Sequence, residues 1–335
     1  MNRGSALAYN AGTSEQEESI LMQSNIPTLS IVCPMRNEES VVDVFLERLI
    51  TVLGKVGEPF EIVCVDDGSR DGTLDRLRAY QGSEPRLRII ELSRCFGKEA
   101  ALTCGIDHAR GAAVIPIDAD LQDPPELIVE MVRVWRQGFD VVLAQRIDRS
   151  SDRMLKRKTA EWFYRLHNAI SEPPIPANVG DFRLMDRRVV DALRQLPERR
   201  RFMKGLFAWV GFRQATVPYV REARAAGRSN FSGWRLWNFA LEGITSFSTA
   251  PLRIWSYVGL LIALASFVYG LLIVGRTLLL GRDLPGYASL ITVVLFLGGV
   301  QLIGLGVLGE YIGRLYGEAK QRPVYIIREH YDGRD

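Results

Sequence analysis

The stretch "IWSYVGLLIALASFVYGLLIV", Ile254 to Val274, contains no charged side chain, and a second run, "YASLITVVLFLGGVQLIGLGVLG" from Tyr287 to Gly309, has Gln301 as its only strongly polar one. Each is close to the ~20 residues that carry a helix across the hydrocarbon core of a bilayer. In that medium the backbone must satisfy its own hydrogen bonds, so two such runs in succession predict a helical hairpin in a membrane. They bound everything else: whatever chemistry the chain performs lies in the more polar residues around them. The start, "MNRGSALAYNAGTSEQEESI", lacks the apolar core of a signal peptide, which predicts that the domain before the hairpin stays in the cytoplasm. Arg221, Arg224, Arg228, Arg235 and Arg253 precede the first run, and Arg314, Lys320 and Arg322 follow the second. Arg276, Arg282 and Asp283 lie between them, and the asymmetry favours both termini on the cytoplasmic side of the inner (plasma) membrane.

Before the hairpin the pattern changes. Apolar runs "TLSIVCPM", "FEIVCVDD", "LRIIELS", "AAVIPID" and "DVVLAQRI" alternate with amphipathic stretches such as "ESVVDVFLERLITVL" and "KEAALTCGIDHAR". Strands apolar on both faces, alternating with helices, predict an α/β fold with a mostly parallel sheet covered on both sides. Ligands of such sheets bind beyond the carboxyl ends of the strands. Four of the five runs end there in polar chemistry: "PMRNEE", "VDDGSRDGT", "IDADLQD" and "AQRIDR". A sheet-end pair such as Asp118 and Asp120 is costly to bury without compensation. Hard divalent cations prefer carboxylate oxygens, and Mg²⁺ is commonly held by one or two of them plus substrate phosphates. Asp66 and Asp67 at a strand end are expected as acceptors for ribose hydroxyls or a base N–H, with Ser69, Asp71 and Thr73 available as helix caps. Neither a Gly-x-Gly-x-x-Gly fingerprint nor a Walker loop follows any strand, so a nucleotide would be held by side chains and a metal.

The 335 residues carry a net charge of +3, which names no partner by itself and gives no reason to expect a nucleic acid. The four cysteines have no metal-ligand spacing; Cys33 and Cys64 fall inside apolar runs and are expected as small buried thiols in a reducing compartment. His108, His167 and His330 form no ligand set and are expected in packing or surface roles. The basic runs "RMLKRK" and "ERRR" are expected to face solvent or anionic headgroups. "SNFSGWRLWNFALEGITSFSTAPLR", Ser229 to Arg253, mixes Trp234 and Trp237 with Arg235 and Glu242 and is expected as an interfacial amphipathic helix.

In order along the chain, "CPMRNEE", "VDDGSRDGT", "RCFGKEAAL" and "DADLQDPPEL" resemble the motifs of the family 2 glycosyltransferases of GT-A fold, and the resemblance extends through "GDFRLMDRRVV" to the hairpin. It is nearest to the polyprenyl-phosphate hexose transferases, the bactoprenol glucosyl transferases and dolichyl-phosphate mannose synthases among them. The resemblance implies a flexible tail over 1–27, a Rossmann-like GT-A domain over 28–228, juxtamembrane amphipathic helices over 229–253, two transmembrane helices over 254–309 and a cytoplasmic tail over 310–335. It implies that Pro34, Asn37, Glu38 and Asp66 line the nucleotide pocket and that Lys98 lies near the phosphates. Asp118, Asp120 and Gln122 would hold Mg²⁺ or Mn²⁺. Arg146, Asp181, Arg183, Arg201, Lys204 and Ser229 would gather around the sugar and the acceptor phosphate. The relatives commonly carry Ser-Lys-Tyr-Ser where this chain reads "SNFS".

The activity so implied is an inverting transfer of a hexose, glucose from UDP-glucose foremost, to undecaprenyl phosphate by a homotetramer, supplying O-antigen or another envelope glycan. Mannose, galactose or an aminosugar are the other donors. A processive polysaccharide synthase is a rival, but the Gln-x-x-Arg-Trp motif common in those enzymes does not occur here. A polyprenyl-lipid binding or flipping protein without catalysis is the rival of a different class, and the paired aspartates speak against it.

Overall fold

The computed structural model describes residues 27–147, 178–221, 250–280 and 286–333. The expected N-terminal tail (but for its last residue, Pro27), the run "RMLKRK", and the interfacial helix with Ser229 lie outside them, apart from the helix's last residues. The chain divides into two compact units, one holding residues 1–161, 175–230 and 323–335, the other 162–174 and 231–322.

The first unit is built on an eight-stranded sheet in the order β7-β5-β6-β4-β1-β2-β3-β8. The strands are β1 (Leu29–Met35), β2 (Phe60–Asp66), β3 (Leu87–Leu92), β4 (Ala113–Pro116), β5 (Val141–Arg146), β6 (Val179–Asp186), β7 (Gln214–Tyr219) and β8 (Ile327–Asp332). All of the first five coincide with the apolar runs. β1 pairs parallel with β2 and with β4, and β2 with β3, while β6 and β8 run antiparallel to their neighbours. β7 is parallel to β5, so six strands deliver their carboxyl ends to one edge. β6 runs the other way, and its amino-terminal end, with Gly180 and Asp181, arrives at that same edge.

Helices α1 (Val42–Val56), α2 (Thr73–Gln81), α3 (Lys98–His108) and α4 (Leu127–Trp135) return the chain between successive strands, and α5 (Arg187–Arg194) and α6 (Met203–Trp209) follow β6. The core is apolar and continuous: Ile31, Phe45, Leu49, Ile62, Ile115, Met131 and Leu184 are fully buried. Such burial, at ~25 cal/mol per Å² of apolar surface, is the main term holding sheet and helices together. Cys33 and Cys64 sit opposite each other on β1 and β2, buried and unbridged, as the apolar runs led one to expect. α3 lies unusually close to the sheet, because a Cβ on Gly105 would come within 2.2 Å of Val32 Cγ1.

The last strand departs from expectation. Residues 310–335 are not a tail: the second apolar helix continues to Ala319, and the chain then adds β8 to the free edge of β3. Arg88 fastens it, donating from Nε to Asp332 Oδ1 at 2.7 Å. Tyr325 packs on the Val63–Ile90 cluster and donates to Asp107 at 2.9 Å.

The second unit contains α7 (Ala250–Leu280) and α8 (Tyr287–Ala319). Their windows Ile254–Arg276 and Ser289–Ala319 have mean hydropathies of 2.4 and 2.3 and are unburied, long and apolar enough to cross a membrane. The helices touch where the Trp255 indole lies against Gly304, at which a Cβ would approach Nε1 to 2.0 Å.

Candidate active site

At the carboxyl edge of the sheet, the loops after β1 and β2 are tied to each other. Asn37, held at a left-handed φ of 55°, accepts the Arg70 amide at 2.8 Å and donates its own amide to Ser69 Oγ at 3.0 Å. Glu38 donates its backbone N–H to Thr73 Oγ1 at 2.8 Å, and Pro34 sits half-buried near the end of β1. Asp66 accepts from the Ser69 amide and hydroxyl. Burial raises its pKa, and the Ser69 hydrogen bonds only partly offset that. The four residues expected to line a nucleotide pocket therefore share one corner of the edge.

Asp67 does something else. Its carboxylate accepts the amides of Phe96 at 2.6 Å and Gly97 at 2.9 Å. It shapes the turn that opens α3, and the residue is buried at 3 % exposure.

The turn shaped by Asp67 delivers Lys98. Its ammonium lies 2.7 Å from Asp118 Oδ2 and 2.9 Å from Asp181 Oδ2, bridging the end of β4 to the start of β6. Desolvation works against the charge on Lys98, but the two carboxylates prevail and hold it protonated, above the usual lysine range. Burial raises Asp118, with the negative charges of Asp181 and Asp120 adding to the effect and Lys98 opposing it. For Asp181 burial pulls upward too, yet Lys98, Lys204 and Arg183 bring it down to about 2. Asp181 Oδ1 and Arg183 Nε are buried polar atoms without a hydrogen-bond partner among the described residues. Arg183 is only 6 % exposed, stacks on Phe207 at 4.1 Å, and is lowered to about 10 by burial. Unpartnered buried polar atoms are rare in folded proteins, and two adjacent ones mark a place where an external hydroxyl or ion belongs.

Asp120 accepts the Gln122 amide at 3.1 Å across Leu121, which sits at a left-handed φ of 57°. The next acid, Asp123, is buried and is the anchor of this loop: Tyr219 donates to it, and Arg146 Nη2 lies 3.7 Å and Arg221 Nε 4.0 Å away. Arg146 is thus half of a clamp joining the ends of β5 and β7 to the Asp118–Asp123 loop. Among the described residues no three His, Cys, Asp or Glu side chains are grouped to hold a metal. Asp118 and Asp120 fit a divalent ion that takes its remaining ligands from substrate oxygens and water. Asp118 Oδ2 is occupied by Lys98, which leaves Oδ1 for that purpose.

Not every expected residue joins this centre. Arg201 spends Nε on the Glu198 carbonyl at 3.2 Å and Nη2 on that of Leu196 at 2.9 Å, closing the turn after α5. Ser229 is outside the described residues. Conversely Glu99, next to Lys98, was not singled out: it accepts the Met203 amide at 3.3 Å and is raised to about 7 by burial and by Asp181.

Comparison with known proteins fits this geometry. Residues 30–194 match the model of "Glycosyl transferase family 2", and 250–315 match that of a "GtrB C-terminal hairpin". The chain is 54% identical over 305 residues to the SfII prophage-derived bactoprenol glucosyl transferase of Shigella flexneri, covering 91% of this chain and 99% of that one. It is 54% identical over 301 residues to an uncharacterized glycosyltransferase of Synechocystis, covering 90% and 95%. A putative glycosyltransferase of Bacillus subtilis is 41% identical over 301 residues, covering 90% and 91%.

Proposed function

The chain belongs to glycosyl transferase family 2, and from that membership we propose that it moves glucose from UDP-glucose, with inversion, onto a polyprenyl phosphate at the cytoplasmic face of a membrane. The observation that carries the reading is the Asp118–Lys98–Asp181 bridge at the carboxyl edge of the sheet, with the unpartnered Asp181 oxygen beside it. Relatives named for bactoprenol glucosyl transfer, alike over nearly their whole length and through the hairpin, support the lipid acceptor and the glucosyl group.

In this reading Pro34, Asn37, Glu38 and Asp66 receive the nucleoside. Asp118, Asp120 and Gln122 hold Mg²⁺ or Mn²⁺, which when bound neutralises charge on the departing diphosphate. A phosphate oxygen of the acceptor attacks the anomeric carbon, the bond from that carbon to the UDP oxygen breaks, and UDP departs on the opposite face. A lipid phosphate is already ionised near neutral pH, so the protein's task is to position and neutralise rather than to abstract a proton. Asp181, held ionised, orients a sugar hydroxyl and anchors Lys98. Arg183 orients Asp181, and Lys204, with Arg146 as a further cation, draws in the acceptor phosphate. In this reading the chemistry takes place at the inner membrane, with catalytic domain and termini cytoplasmic, in a homotetramer, and the two apolar helices support the membrane location.

Purified protein in nanodiscs, given radiolabelled UDP-glucose and undecaprenyl phosphate with Mg²⁺ or Mn²⁺, should yield labelled lipid, and chelation should abolish it reversibly. No labelled lipid from UDP-glucose, with label from another sugar nucleotide in a donor panel, overturns the donor; none from any donor overturns the reaction.

A further inference from the structure

Glu99 is a half-buried acid that the reaction as described leaves idle. It sits in the first turn of α3, immediately after Lys98, and its Oε2 accepts the amide of Met203, the first residue of α6, at 3.3 Å. No side chain of α6's own N-terminus caps that helix, so Glu99 supplies the acceptor from across the site. The contact is reinforced one turn on, where Thr103 donates to the Glu99 carbonyl at 2.8 Å and lies 3.7 Å from Met203 Sδ. One residue beyond Met203 is Lys204, which lowers the pKa of both Glu99 and Asp181 and makes no ion pair within 4 Å among the described residues. Lys204 and Arg183 share the lining of one small cavity with Val179 and Phe207.

We infer that Glu99 is a positioning residue: it ties α6, which carries Lys204, to α3, which carries Lys98, and its charge sets how strongly these lysines take a phosphate anion. The inference rests on Lys204 being a ligand for the acceptor phosphate. The charged groups facing Glu99 are Lys98 on its own helix, Asp181 from β6 and Lys204 from α6. When ionised, Glu99 adds a negative charge to the field of both lysines and repels an arriving anion. When protonated it still accepts the Met203 amide, so the tether holds while that repulsion is gone. Its carboxyl, raised to about 7, makes that exchange near neutral pH. Anion binding is then coupled to uptake of a proton at Glu99.

The test measures the Kd of farnesyl phosphate, a short polyprenyl phosphate, for the full-length protein and for Glu99→Gln and Glu99→Ala by calorimetry. Comparing variants at each pH cancels the ionisation of the phosphate itself. The ratio of wild-type to Glu99→Gln Kd should be near unity at about pH 6 and rise to about tenfold at about pH 8. Glu99→Ala, which also loses the tether, should bind more weakly than Glu99→Gln at every pH. Should Glu99→Gln not fold, infrared difference spectra of the wild type decide: binding should generate a protonated-carboxyl band above neutral pH. A ratio that stays flat, or no such band, overturns the inference, as does failure of farnesyl phosphate to bind the wild type. If the ratio rises as stated while the wild type transfers no sugar, the inference stands and the proposed reaction falls.

Discussion

Lys98 holds together two carboxylates that would otherwise repel each other across a partly desolvated edge, and its removal should be felt by both. Lys98→Met leaves Asp118 and Asp181 facing each other without their common cation. Loss of kcat/KM by roughly 10²–10³ is expected, in line with the removal of one electrostatic stabiliser from an active site. Asp118→Asn should cost at least as much and resist rescue by excess metal, while the melting temperature stays near wild type; near-normal turnover in saturating Mg²⁺ would remove Asp118 from the site. Asp181 has a pH consequence whose sign is fixed by its depression to about 2. Its stabilising contribution is present above the ordinary aspartate pKa of ~3.9 and is lost as pH falls through that value toward 2. Thermal melts of wild type and Asp181→Asn between about pH 5 and pH 3 should therefore converge as the solution is acidified. The Asp118–Asp120 pair was legible in the sequence, since charges ending an apolar run demand a partner. The contacts of Glu99, Asp123 and Asp67 were not, because a carboxylate that accepts from a distant amide or side chain leaves no mark on the residues around it.

Among the elements, legibility followed burial. β1 to β5 lie inside the two edge strands of the sheet and read as mostly apolar runs, Glu61, Arg88 and Glu91 apart. β6 is central too, but it carries Asp181 and Arg183 to the site, and those charges break the run. β7 has a proline and exposed alternate positions, as suits an edge strand. β8 is charged for the same reason: Arg328, Glu329, His330 and Asp332 blunt an edge that would otherwise recruit another strand. Deleting residues 323–333 should uncover the β3 edge and lower the melting temperature of the first unit, with aggregation measurable by light scattering. Gly105→Ala tests the close approach of α3: a methyl group there meets Val32, and about 1–3 kcal/mol of destabilisation is expected from denaturant titration. The displaced helix also carries Lys98, so activity should fall with it.

At the scale of the whole molecule, the two units answer to different solvents. The sheet domain is ordered by burial of apolar surface away from water. The helices of the hairpin expose theirs, and in lipid their mutual contact depends on close packing of small residues. Gly304→Val would drive a branched side chain into the Trp255 indole and should loosen the hairpin, lowering the temperature at which the protein leaves solution in detergent. Both apolar runs announced themselves in the sequence. What they concealed was the return of the chain to the sheet after them, for nothing in "IREHYD" distinguishes a strand from a polar tail. That return sets an order of events during synthesis. The ribosome delivers β1 to β7 first, then the hairpin, and β8 only afterwards. Until both apolar helices have been synthesised the β3 edge has no partner, so completion of the sheet reports that the hairpin has been made.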